Sequence, residues 1–147
     1  MQIRTLNDRE LDQIKAAKKA ANDKLTDWRR SLRRNRKSLT THERANLENN
    51  LAAHKRVTGK PVVVVVDGNE IYLNYELLQR FLKSLDRQRF TFYSFCVEGL
   101  GFSRRLSVSY GQPLYGRGYG VVEFFELPPR QRDLLSELPR VELIERF

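Results

Sequence analysis

The residues with the clearest chemical capacity are the ten from Trp28 to Lys37, Trp-Arg-Arg-Ser-Leu-Arg-Arg-Asn-Arg-Lys. Arg29, Arg30, Arg33, Arg34, Arg36 and Lys37 supply five guanidinium groups and one ammonium with no carboxylate among them. Such groups neutralise phosphates, and guanidinium can also grip a phosphate through two parallel hydrogen bonds. The competing reading is a solvated helix face, or a patch that meets an acidic protein. Charge distribution favours the first reading. Residues 1–60 hold 16 Lys/Arg against 7 Asp/Glu, whereas residues 61–147 hold 11 of each, so the whole formal charge of +9 lies in the first 60. That split predicts a polyanionic partner: nucleic acid, DNA or RNA, ahead of an acidic protein or ribonucleoprotein surface. Phosphate contacts position a protein without reading bases, so no sequence specificity is expected.

A second group lies in Tyr110-Gly-Gln-Pro-Leu-Tyr-Gly-Arg-Gly-Tyr-Gly. Tyr115 and Tyr119 could stack on bases while Arg117 holds a backbone. The plainer reading is a flexible glycine-rich hairpin loop over 111–120 whose tyrosines pack on a sheet. Gly116-Arg-Gly-Tyr-Gly is not a nucleotide cradle, because a strand follows it and no lysine-bearing phosphate motif is present. Asp67, Glu70 and Glu76 could in principle hold Mg²⁺ for phosphodiester cleavage. Yet Asp67-Gly68 at a strand end is ordinary turn chemistry. His42 and His54 are outside short metal-ligand spacings. Cys96, in an aromatic strand, reads as a small core residue. Trp28 reads as a seam residue ahead of a stacking platform. No catalytic set, metal site or cofactor site is assembled.

The elements that must position these residues are legible from periodicity. Asn7 and Glu10 form a capping-box pair at the start of a long helix. Leu11, Ile14, Lys18, Ala21, Leu25, Trp28 and Leu32 then recur at spacings of three and four, a coiled-coil-like seam closed within the chain or across a homodimer. The pattern lapses over 35–39. Thr40 and Glu43 open a second helix carrying Leu47, Leu51 and His54, and Gly59-Lys60-Pro61 ends it. The pair forms an antiparallel helical hairpin with the arginine run at its tip. Val62 to Val66 is a strand buried on both faces, and Ile71 to Leu73 its partner. Asn74 caps a helix with Leu78, Phe81, Leu82 and Leu85 along one stripe. Strands follow over 89–97, 106–110 and 121–125, then a short helix over 131–138. The tail, 141–147, is open between strand and helical turn.

The expected fold is therefore α+β in the order ααββαβββα: a basic helical hairpin, 1–60, followed by an α+β domain, 61–147, with a small, mainly antiparallel sheet. This element order resembles, in topology alone, that of bacterial ribosome-dependent ribonuclease toxins, a resemblance that implies a nuclease. The chain is longer and lacks a defining catalytic set. A single cysteine excludes a disulfide framework, and no long apolar run or signal segment is visible. A soluble, cytoplasmic, non-enzymatic nucleic-acid-binding protein without cofactor is the first expectation. A small inhibitor or adaptor docking on a protein or protein–nucleic-acid complex is the second, and a nuclease the third.

Overall fold

The computed structural model describes residues 5–88, 90, 92–112 and 117–144. Helix α1 runs Asp8–Arg34 and opens with the expected box: Glu10 N–H donates to Asn7 Oδ1 at 2.8 Å, and Asn7 N–H donates to Glu10 Oε1 at 3.3 Å. Its buried residues, Glu10, Ile14, Ala17, Ala21 and Leu25, recur every three or four positions. Lys18, at a seam position, is half-buried and donates to the Gly59 carbonyl at 2.7 Å. Helix α2, Thr41–Ala53, is capped by Thr40, whose Oγ1 accepts from Glu43 N–H at 3.1 Å. None of its residues is fully buried.

Strand β1, Pro61–Val66, pairs antiparallel with β2, Asn69–Asn74, across the turn Asp67-Gly68. The other edge of β1 pairs parallel with β6, Arg140–Glu142, placing the order β2-β1-β6 in one sheet. A central position between two strands explains why Val62, Val63, Val64 and Val66 are all buried. The tail is thus a strand at 140–142, paired with a segment that no local signal links to it.

Asn74 caps α3, Tyr75–Arg87, accepting from Glu76 N–H at 3.2 Å. Leu78, Leu82 and Leu85 are buried beneath it, and Phe81 packs on the same core. Strands β3, Phe92–Glu98, β4, Arg105–Gln112, and β5, Arg117–Phe125, form a separate antiparallel meander. Both sheets, α3, and Leu6 and Ile14 at the start of the chain share one core. The architecture is α+β with mainly antiparallel pairing.

Three expectations are corrected. The loop expected over 111–120 is shorter at both ends: β4 runs to Gln112, β5 starts at Arg117, the two residues are partners, and 113–116 lie outside the described residues. The helix expected over 131–138 is only α4, Pro129–Arg132. Pro128 and Pro129 suit a helix start, but Glu137 takes a positive φ of 56° that a continuing helix forbids. Cys96 is exposed, because Tyr93 and Phe95 occupy the inward phase of β3 and strand alternation turns residue 96 outward.

Candidate functional site

The basic run is carried by the distal half of α1 and the loop behind it. Leu25 is the last buried residue of α1, and roughly 14 Å of helix lies beyond it at 1.5 Å per residue. Arg29, Arg30, Arg33 and Arg34 occupy this stretch, and Arg36 and Lys37 the turn that follows. All six are exposed. Among the described residues, none of the six forms an ion pair. Among the described residues, Asp27, the nearest acid in sequence, forms no ion pair, and the next on either side are engaged elsewhere: Asp23 with Lys19 at 2.7 Å, and Glu43 with Thr40. Lys19 is held above the ordinary lysine range by its hydrogen bond to, and attraction from, Asp23.

The turn is ordered by its own backbone. Ser38 N–H and Leu39 N–H both donate to the Asn35 carbonyl, at 3.0 and 2.8 Å. Arg44 of α2 reaches back to the Arg36 carbonyl at 3.4 Å, tying the turn to the second helix. Trp28 is half-buried between the helices. The His54 ring meets its edge at 5.4 Å, and the Lys24 ammonium lies 6.0 Å from the indole centroid. His54 Nδ1 lies 2.9 Å from the Asn50 carbonyl, which can only accept, so Nδ1 carries the proton.

The return from α2 to the body runs along α1 in extended form. Asn22 holds Val57 by both backbone groups, and Val57 is 2% exposed against Ala17, Ala21 and Leu135. Arg56, next to Val57, lines a cleft of about 120 Å³ with Asn22, Asp23, Leu25, Thr26 and Arg29.

The remaining sequence candidates that are described do not converge. Tyr115 lies outside the described residues; Arg117 and Tyr119 lie on β5, with side chains also outside them. Glu70 pairs with Arg140, whose pKa it raises by hydrogen bonding and attraction, and Glu76 pairs with Arg80 at 3.0 Å. Asp67 sits in the β1–β2 turn with φ of 48°. Among the described residues, no three His, Cys, Asp or Glu are placed to hold a metal ion.

Sequence reasoning missed Glu126, whose side chain is 5% exposed. It pairs with Arg104 at 3.1 Å and with Arg132, and accepts from Tyr72 N–H at 3.1 Å. Arg104 also donates to the Glu70 carbonyl. The cluster ties the β3–β4 loop and α4 to the outer edge of β2, where Leu127 N–H donates to the Tyr72 carbonyl at 2.9 Å. Its chemistry is that of a closed charge network. No single residue type or spacing announces it.

Among the described residues, no helix is long and apolar enough to cross a membrane. No family model, curated protein or solved structure matches the chain.

Proposed function

We propose that the chain is a non-enzymatic nucleic-acid-binding or ribonucleoprotein-associated protein whose helical arm docks on phosphates through Arg29, Arg30, Arg33, Arg34, Arg36 and Lys37. The observation that carries this reading is six exposed cations without an ion-pair partner among the described residues. Their spacing adds weight. Arg29 and Arg33, like Arg30 and Arg34, are i,i+4 neighbours on one helix, and each like-charged pair destabilises a helix by about 0.2–0.5 kcal/mol. Arg33 and Arg34 recover part of this at the negative end of the α1 dipole. Arg29 and Arg30 lie more than a turn from the end, and Arg36 and Lys37 lie beyond it. A helix shaped for stability alone would place carboxylates among them; an anionic ligand supplies the missing counter-charge.

The test is binding of labelled DNA and RNA at about 50 mM salt, where electrostatic binding is strong, by the wild type and by Arg33→Gln/Arg34→Gln/Arg36→Gln. The triple variant should bind both far more weakly. Equal affinity would reject the reading. A wild type that binds neither would transfer the arm to the second function, an adaptor that docks on an acidic protein surface.

A further inference from the structure

Two of the most exposed large apolar side chains sit on one short loop: Leu100 is 88% and Phe102 91% exposed. The loop is built. Gly99 and Gly101 take φ of 82° and 58°, and a Cβ on Gly99 would lie 2.4 Å from the Ser103 carbonyl oxygen. Ser103 N–H and Oγ both donate to the Leu100 carbonyl, at 3.2 and 2.9 Å, and Arg105 donates to the Ser103 carbonyl at 3.1 Å. Phe102 is therefore held outward on a fixed 3₁₀ turn, Gly101–Ser103.

Phe102 lines a cleft of about 230 Å³ with Lys55, Pro128, Pro129 and Gln131. Among the described residues, no carboxylate lines it. Flat apolar surface is supplied by the phenyl ring and two prolines, positive charge by Lys55, and an edge-reading amide by Gln131. The volume is below the roughly 300 Å³ at which pockets for drug-sized ligands begin, so it suits one flat ring. Lys55 is followed directly by Arg56, which shares the neighbouring cleft with Arg29. Two consecutive cations thus line the two clefts, Lys55 the one with Phe102 and Arg56 the one with Arg29 and Asp23.

We infer that the Phe102–Lys55 cleft takes one unstacked base and its phosphate, so that single-stranded nucleic acid is the arm's preferred ligand. The inference rests on the phosphate-binding reading of the arm. Bases within a duplex are stacked and paired and cannot enter such a cleft, whereas single strands present their faces to aromatic side chains. A protein partner could also cover Phe102, but it would need only apolar volume there, not an aromatic face.

The experiment compares fluorescence anisotropy of a labelled single strand and a duplex, each of about 20 nucleotides, long enough to cover an ordinary single-strand site. The full chain is used as wild type, Phe102→Ala, Phe102→Leu, Phe102→Trp and Arg33→Gln/Arg34→Gln/Arg36→Gln. Phe102→Ala and Phe102→Leu should weaken single-strand binding about ten-fold, within the range for one stacked base, and leave duplex binding unchanged. Phe102→Trp should retain it. Unchanged single-strand affinity in Phe102→Ala, or equal loss for both ligands, overturns the stacking site; loss in the arm variant alone then leaves the phosphate reading standing. Full retention by Phe102→Leu also overturns stacking, in favour of simple apolar contact. A wild type that binds neither ligand removes both proposals.

Discussion

Asn22 of α1 holds Val57 as a neighbouring strand would: Val57 N–H donates to Asn22 Oδ1 at 2.9 Å, and Asn22 Nδ2 donates to the Val57 carbonyl at 3.2 Å. One side chain thereby satisfies both backbone groups of a residue that is 2% exposed. The consequence is mechanical. The segment returning from α2 is fastened to α1 at this point and by Lys18 to Gly59, so the arm cannot swing freely from the body.

Asn22→Ala strands a buried donor and a buried acceptor together. Each unsatisfied group costs about 1–3 kcal/mol, and two at the low end of that range together lower the melting temperature by about 4–8 °C in a chain of this size. Thermal melting followed by circular dichroism measures it. Asn22→Asp should be intermediate, because the carboxylate still accepts from Val57 but cannot donate. A melting temperature indifferent to Asn22→Ala would mean that the return segment is not fastened there.

If five or six phosphates on a duplex are contacted, the slope of log K against log salt should lie at about −4.5 to −5.4. Removing the charges of Arg33, Arg34 and Arg36 should flatten it by about 2.7, since each contact contributes about 0.9. Titrations between low and physiological salt give the slope directly. A wild-type slope near zero would mean that phosphates are not what the arm meets.

Glu126 connects parts of the chain that are distant in sequence, and its removal should be felt globally. Glu126→Ala leaves Arg104, Arg132 and Tyr72 N–H without their shared carboxylate. Removing one partner of a buried pair costs about 3–5 kcal/mol, and the partial exposure of both arginines places the expected loss at the lower end, about 3 kcal/mol. Urea unfolding should show a lower midpoint at an unchanged slope. Glu126→Gln, which keeps the shape and the Tyr72 contact, should lose less.

Local signals in the chain reach as far as local physics does. Asn7, Thr40 and Asn74 are read correctly as caps because a cap is settled within four residues. The seam from Ile14 to Leu25 and the stripe from Leu78 to Leu85 follow from helical period alone. Pairing of Val64 with Val141 does not, since three residues of strand carry almost no period and their partner is far away in sequence. Cys96 was legible in principle: strict alternation from Tyr93 and Phe95 places it outside, but the continuous aromatic run obscures the phase. Phe102 gave no periodic signal at all, lying between Gly101 and Ser103 in a turn, and only its exposure and cleft bring it into view. The six cations of 29–37 were legible as charge; their freedom from ion pairs with described residues required coordinates.

The cross-strand pair Tyr110 and Gly120 offers a test of packing in the meander. A Cβ on Gly120 would lie 2.4 Å from Tyr110 Oη and 2.5 Å from Cζ, so the phenol ring occupies the space a side chain would take. That ring has little room to give, because Phe81 and Phe90 meet it with centroids at 5.7 and 5.2 Å. Gly120→Ala should therefore destabilise by about 1–3 kcal/mol through overpacking, although alanine ordinarily favours a strand more than glycine. Tyr110→Ala should also destabilise, through loss of the ring. In the double variant the clash is gone, so the two losses should fall short of adding by about 1 kcal/mol or more. Additive losses in chemical unfolding would show that the ring and the glycine are not in contact, and that the bare backbone at position 120 answers to some other constraint.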